Sequence, residues 1–188
     1  SASTYTMTID VDAVNDAPTA ADNTVTTNED TDHTFSASEF GFTDVDGDSL
    51  DHVTIETLPS NGTLLLSGVA VSAGDEIAAA DITNLVFRPA ANENGNDYDS
   101  FTFSVNDGTV DSASTYTMTI DVDAVNDAPT ANDDTINVAA GTPATGNVVT
   151  SNDTDPDGDT LSVSAIVEGD VGSPIIGTYG TFTLNSDG

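Results

Sequence analysis

Strict alternation of apolar and polar side chains is the dominant pattern along this chain. In the opening segment Tyr5, Met7, Ile9 and Val11 are separated by single threonine and aspartate residues. The same spacing of two returns in residues 101–105 and 116–122. This is the period of a β-strand that is buried on one face. No stretch shows the apolar spacing of a long helix, so the pattern predicts an all-β protein.

An exact internal repeat divides the chain. Residues 1–20 and residues 112–131 both have the sequence SASTYTMTIDVDAVNDAPTA, at an offset of 111 residues. Self-similarity at a long fixed period indicates an array of like domains. We therefore interpret residues 1–18 as the last strand and linker of a preceding repeat. Residues 19–129 form a complete repeat, and residues 130–188 form an incomplete one.

Seven or eight short strands are predicted in the complete repeat, with turns at regular spacing. Such a pattern is typical of a Greek-key β-sandwich. Asp99 is interpreted as a solvated residue at the edge of the strand that carries Phe101. Residues 76–82 are interpreted as one helical turn. The predicted strands cover residues 24–27, 34–37, 50–55, 64–66, 69–71, 85–87 and 101–105 and the repeated segment 116–122.

The charge of the chain is strongly negative. It has 33 acidic residues and one basic residue, Arg88, and only six of the acids are glutamate. This imbalance excludes nucleic acid as a partner. Aspartate favours turns and is an oxygen ligand for calcium. General solvation in a salty habitat explains part of the acidity, but the aspartates recur in short motifs, which favours calcium binding at particular loops.

One acidic motif is a triplet of alternate aspartates around a glycine. Asp44, Asp46 and Asp48 flank Gly47, and the triplet recurs at residues 155–159. Closely spaced carboxylates on a glycine turn can supply several of the oxygens that calcium requires. The position where an EF-hand loop needs a bidentate glutamate holds Ile55 in the first copy and an isoleucine in the second. The motif therefore predicts a calcium loop of another type.

The linker carries the second acidic motif. Asp121, Asp123, Asn126 and Asp127 precede Pro129, and the same residues stand in the first copy. This segment resembles the cadherin linker motif Asp-x-Asn-Asp-Asn-Ala-Pro, with its spacing shifted by one residue. With the aspartate triplet and the Asn-Asp-Gly turn at 106–108, it is similar to bacterial cadherin-like repeats of large RTX-type secreted surface adhesins. The segment GNVVTSNDTDPDGDTL resembles the related VCBS-type repeat.

The resemblance implies cadherin-like or immunoglobulin-like sandwiches joined by calcium-binding linkers. Counting strand directions from each end of the repeat predicts which acidic loops meet the linkers. The resemblance also implies that Glu29, which follows the first strand, acts as a ligand. Asp30 and Glu93 are further candidates. The expected ligands at the second linker are Glu29, Asp121, Asp123, Asn126, Asp127, Asp155, Asp157 and Asp159. Those at the first are Asp12, Asn15, Asp16, Asp44, Asp46, Asp48 and Asp107.

Catalysis is not expected from this sequence. There is no cysteine, no phosphate-binding glycine loop and no nucleophile elbow, and His33 and His52 stand in no catalytic or metal spacing. No apolar run reaches membrane-spanning length, so membrane insertion is not expected.

The sequence therefore predicts a secreted, cell-surface module that calcium stiffens for adhesion or biofilm formation. Its expected partners are neighbouring repeats and, beyond them, a homotypic, cell-surface or glycan partner. Two alternatives stay open. One is a carbohydrate- or protein-binding module of a secreted protein, and the other is a subunit of a strand-exchanged extracellular filament.

Overall fold

The computed structural model describes residues 3–167 and 169–188. The chain divides into two compact units, Ser1–Ala124 and Val125–Gly188. The first unit carries nine strands and two short 3₁₀ helices, and the second carries one hairpin. In chain order the elements are β1 (Asn23–Asn28), β2 (His33–Thr34), the 3₁₀ helix Ala37–Phe40, β3 (His52–Ile55), β4 (Thr63–Leu66), β5 (Val69–Ala70), β6 (Glu76–Ala78), the 3₁₀ helix Ala79–Asn84, β7 (Leu85–Arg88), β8 (Gly95–Asn106), β9 (Tyr116–Asp123), β10 (Pro174–Gly177) and β11 (Gly180–Thr183).

Two sheets make up the first unit. One has five strands in the order β1-β9-β8-β3-β6, and the other has four in the order β2-β7-β4-β5. Strand β1 runs parallel to β9, from the pair Asn23–Met118 to the pair Asn28–Asp123. All the other strand pairs are antiparallel. The parallel register places the last residues of β1 and β9 at the same end of the sheet, which we call the distal end.

The core of the first unit is built from the inward faces of both sheets. Phe87 comes from the smaller sheet and Phe101 and Phe103 from the larger one, and all three are fully buried. Phe40 and Phe103 meet edge to face with ring centroids 4.9 Å apart, a favourable aromatic geometry. The prediction of an all-β sandwich is confirmed.

Residues 3–18 differ from the sequence prediction, because they form no strand. Tyr5 is 94% exposed, whereas Tyr116, at the equivalent position of β9, packs against the core. The two segments have the same sequence, so the difference lies in pairing. Strand β9 lies between β1 and β8, and residues 3–18 have no such neighbours among the described residues. Alternation alone does not make a strand without a partner.

Two other element predictions also need correction. The strand expected at 34–37 ends at Thr34, because the backbone N–H of Ser36 donates to Oε2 of Glu39 at 2.6 Å and the chain turns into a 3₁₀ helix. The helical turn expected at 76–82 starts as strand β6, because Ile77 is buried opposite Val53 of β3. The helical segment begins at Ala79.

The second unit has less regular structure among its described residues. Strands β10 and β11 pair antiparallel around a tight turn. A pair of hydrogen bonds between Thr130 and Thr154 joins the start of this unit to its aspartate loop. In either unit, no helix of the described residues has the length and apolar character that crossing a membrane requires.

Asp99 was predicted to be solvated, and this was wrong. It is only 8% exposed, and its carboxylate accepts hydrogen bonds from the backbone N–H groups of Ser60, Asn61, Gly62 and Ser100 at 2.7–2.9 Å. Burial would raise the pKa of this group, but the four backbone donors outweigh it and the pKa is lowered. Asp99 therefore anchors the turn that precedes β4.

That turn lies against the core, and Gly62 is the point of contact. A Cβ atom at this position would overlap the ring of Phe87 and lie 2.8 Å from the carbonyl oxygen of Arg88. We expect Gly62→Ala to destabilise the unit by about 1–3 kcal/mol, because a packed core cannot absorb the added methyl group. Denaturant unfolding measures this. The control is Ser72→Ala in an exposed turn, where only backbone groups of Ser72 make hydrogen bonds with described residues; it should stay within about 0.5 kcal/mol of the parent. Equal stability of all three proteins would contradict the packing described.

The Asp99 anchor predicts a dependence on pH. Its folded-state pKa is lower than that of the unfolded chain, about 3.9, so its contribution to stability is present above that pH and is lost as the pH falls through the folded-state pKa. We expect Asp99→Asn to lower the stability by about 1–3 kcal/mol at pH 7, because the amide cannot satisfy all four donors. The difference between variant and parent should shrink below about pH 4. A difference that stays constant down to pH 3 would argue against the anchor.

Candidate metal site

The aspartate triplet of the first unit forms a cluster of carboxylates. Asp44, Asp46 and Asp48 each offer an oxygen, and these oxygens lie within 4.8 Å of one another. Oδ1 of Asp44 accepts the backbone N–H of Asp46 at 2.8 Å and that of Asp48 at 3.1 Å, which winds the loop around one carboxylate. Gly47 has φ +85°, a left-handed conformation that suits glycine, and this permits the tight turn.

The other oxygen of Asp44 is the strongest indication of a cation. Oδ2 is buried and has no hydrogen-bond partner among the described residues. A buried carboxylate oxygen without a partner is costly. Calcium prefers carboxylate and carbonyl oxygens, and the loop offers three carboxylates at one place. These residues therefore fit a hard cation such as Ca²⁺.

The linker in front of this unit lies on the same end of the domain, which we call the proximal end. The backbone N–H of Asp16 donates to Oδ2 of Asp46 at 2.7 Å. The side-chain amide of Asn15 donates to Oδ2 of Asp107 at 3.0 Å. Thr19 exchanges two backbone hydrogen bonds with Thr43, each 2.8 Å long. The linker, the aspartate loop and the turn after β8 therefore meet at the proximal end.

Asp107 is engaged at both of its oxygens. Oδ1 accepts the backbone N–H groups of Thr109 and Val110 at 2.6 and 2.8 Å, and Oδ2 accepts Asn15. The hydrogen bond from Asn15 is the largest cause that lowers the pKa of Asp107, followed by that from Val110. The carboxylate is thus held in its charged form by donors of the protein itself.

A second acidic group lies at the distal end of the first unit. Glu29 is 2% exposed, its backbone N–H donates to the carbonyl of Asp123 at 2.9 Å, and its Oε2 accepts Asn94 at 3.2 Å. Oδ1 of Asp121 accepts the backbone N–H of Asp97 at 2.7 Å. The structure thus places Glu29, Asp121 and Asp123 at one end of the sheet.

Two neighbours of this distal group, Asn94 and Asp97, were missed by the sequence analysis, whereas Asp30 and Glu93 were among its candidates. Asn94 and Asp97 contact predicted ligands, and the backbone N–H of Asn92 donates to Asp30 at 3.2 Å. Glu93 accepts the hydroxyl of Tyr98 at 2.8 Å. The signal was available in the polar turn Asn-Glu-Asn-Gly-Asn-Asp. Strand β8 begins within this turn, at Gly95, which pairs with Val122 near the end of β9.

The second unit repeats the loop and linker contacts of the first. Oδ1 of Asp155 accepts the backbone N–H groups of Asp157 and Asp159 at 3.0 and 3.2 Å. The backbone N–H of Asp127 donates to Oδ2 of Asp157 at 2.6 Å, as Asp16 does to Asp46. Asn126 donates to the carbonyl of Asp127. Among the described residues, only the first triplet brings three carboxylates within 4.8 Å of one another.

Asp12 stands apart from the other predicted ligands. It is exposed, and its carboxylate makes no hydrogen bond with any described residue. The proximal end thus brings together Asn15, Asp16, the triplet and Asp107, but not Asp12.

Comparison with protein families agrees with this architecture. The family model for the bacterial Ig domain matches residues 15–121, and the model for the bacterial cadherin-like domain matches residues 126–188. The first match covers more than half of the chain, so the chain belongs to the bacterial Ig domain family. Its second unit is similar to bacterial cadherin-like domains. Neither the search of curated proteins nor that of solved structures found a match.

These families confirm the recognition made from the linker and loop motifs. Bacterial Ig and cadherin-like domains are typical of extracellular surface proteins and are typically structural modules without catalytic activity. Cadherin-like domains generally bind calcium, and an aspartate cluster is present here.

Proposed function

We propose that this chain is a calcium-stiffened extender of a long secreted bacterial surface protein, which serves adhesion or biofilm formation. The observation that carries the proposal is the proximal loop, where three carboxylates converge and one buried oxygen of Asp44 has no partner among the described residues. A structural module of this kind needs no catalytic group and acts through its length and stiffness.

The residues that would hold the cation are those of the aspartate loops and the linkers. At the proximal end of the first unit, Asp44, Asp46 and Asp48 would supply the main oxygens, and Asp12, Asn15 and Asp16 could add linker oxygens. Glu29, Asp121 and Asp123 would act at the distal end. In the second unit the corresponding groups are Asn126, Asp127, Asp155, Asp157 and Asp159. Bound calcium would supply positive charge, and the side-chain oxygens of these loops would coordinate it.

Mutual repulsion among the carboxylates explains why such a cation would stiffen the chain. The chain has a net charge of −32, and the three carboxylates of the first loop offer oxygens within 4.8 Å of one another, where like charges repel. The loop and the linker share the hydrogen bond between Asp16 and Asp46. Neutralising the loop would therefore remove a repulsion that acts against the docked linker.

The repeated opening segment fits an extender. Residues 1–12 have the sequence of residues 112–123, which include β9, and β9 is the last strand of the first unit. We propose that residues 1–18 are the last strand and linker of a preceding repeat, with residues 19–129 and 130–188 as the two repeats that follow. An array of such units can span a long distance from a cell surface.

The alternative of a carbohydrate-binding module has less support. Sugar-binding surfaces commonly present several exposed aromatic rings side by side. In residues 19–124 every phenylalanine and tyrosine is buried or partly buried, and the exposed rings of the described residues are Tyr5 in the opening segment and Tyr179 and Phe182 in the hairpin of β10 and β11. A glycan array probed with the purified protein separates the two functions, because a pure extender should bind none of the sugars.

Calcium should raise the melting temperature. At 10 mM Ca²⁺ and a dissociation constant of about 10⁻⁴ M, one site would add about 2.7 kcal/mol to the stability of the folded state. For a domain of this size that corresponds to a rise of roughly 10 °C over the protein in EDTA. Differential scanning calorimetry with and without EDTA measures the shift.

Asp48→Asn tests whether the loop is responsible. Among the described residues Asp48 supports the loop through its backbone N–H only, so its carboxylate can be replaced without losing a hydrogen bond of the loop. We expect calcium affinity to fall about tenfold, measured by titration calorimetry, while stability in EDTA is not lowered, because one of the repelling charges is removed. Asp75→Asn is the matched control in a remote turn. Identical melting curves of the parent in calcium and in EDTA would refute the proposal.

A further inference from the structure

We propose that Asp107 is a positioning residue, a latch that fastens the linker to the domain without any metal ion. The sequence pattern grouped Asp107 with the calcium ligands. Its contacts favour a different role, because its two oxygens already accept three N–H donors of the protein. A carboxylate has about four acceptor positions, so little remains for a cation.

The latch consists of one side-chain pair in a rigid setting. Thr109 and Val110 hold Oδ1 of Asp107 through their backbone N–H groups, which leaves Oδ2 directed at Asn15. The turn that carries Asp107 directly follows β8, a strand inside the larger sheet. The position of Oδ2 of Asp107 is therefore fixed by the sheet, and the hydrogen bond from Asn15 sets the position of the linker.

Asn15 uses both hydrogens of its amide in this arrangement. One goes to Asp107 and the other to the backbone carbonyl of Asp16, each at 3.0 Å. The backbone N–H of Asp16 in turn donates to Oδ2 of Asp46 at 2.7 Å, so both backbone polar groups of Asp16 are engaged. Pro18, two residues later, is buried. One amide thus connects the turn after β8 with the aspartate loop through the linker.

The backbone hydrogen bonds of this docking occur in both units. In the second unit the N–H of Asp127 reaches Asp157, and Thr130 pairs with Thr154, at the same offset of 111 residues. Each linker is thus hydrogen-bonded to the unit that follows it. We infer that the linker is preassembled on that unit before calcium arrives, so that binding requires less ordering of the chain.

A reversal of the donor and acceptor tests the latch. Asn15→Asp would set two carboxylates against each other, and Asp107→Asn would set two amide NH₂ groups against each other. The double variant N15D/D107N restores one donor and one acceptor with the roles exchanged. The amide oxygen at position 107 can still accept Thr109 and Val110.

The measurement is ¹⁵N relaxation of the whole chain in EDTA, where no calcium can hold the linker. In the parent, the backbone order parameter at Asp16 should be near that of the sheet, about 0.85. In each single variant it should fall below about 0.6, and in the double variant it should recover in part, because the carboxylate introduced at position 15 cannot donate to the carbonyl of Asp16. Asp75→Asn, which removes a carboxylate that accepts Ser72 in a turn at the other end of β3, should leave Asp16 unchanged.

Calcium titration of the same four variants separates this inference from the proposed function. Only the effect of the latch on metal binding rests on the proposed function. We expect Asp107→Asn to weaken calcium binding about threefold and the double variant to restore it. If the single variants lose order at Asp16 in EDTA but the parent binds no calcium, the latch is supported and the calcium site is refuted. A double variant as mobile at Asp16 as the single ones, or single variants as rigid as the parent, would overturn the latch.

Discussion

Burial of β9 between β1 and β8 is the interaction on which the rest of the first unit depends. Its inward side chains Met118, Ile120 and Val122 are almost fully buried, and the strand has a neighbour on each side. The same strand then leads directly into the acidic linker. At each end of the domain, strands of the core lead into polar loops. The sheet therefore determines where these loops lie.

The ends of the unit balance charge in two ways. Some carboxylates are satisfied by the chain itself, as Asp99 and Asp107 are by backbone and amide donors. Others, as in the triplet at Asp44, converge without enough donors. The first kind holds turns and linkers in place, and the second kind leaves negative charge for a cation. Under the two proposals above, Asp44 and Asp107 would therefore have opposite roles at the same end of the domain.

Alternation in the sequence was sufficient to find β8, β9 and the sandwich, because both strands bury one face in a single core. It failed for residues 3–18, since a strand also requires neighbours and the sequence pattern contains no information about them. Asp99 could have been placed correctly, because it shares the parity of Phe101 and Phe103 and so points inward. The donors that make its burial tolerable come from a turn almost forty residues away. The role of Asp107 likewise depends on a contact with Asn15, which no local motif reveals.

The parallel pairing of β1 with β9 has a mechanical consequence. In a tandem chain under tension the pull enters near the start of β1 and leaves at the end of β9. The two strands are aligned over six residue pairs, so the force acts along them in shear. Their hydrogen bonds are then loaded together and cannot be opened one at a time. Forced unfolding is governed by the rate of unfolding. Each unit would therefore resist a pull along the chain through all six residue pairs at once and would not open from one end.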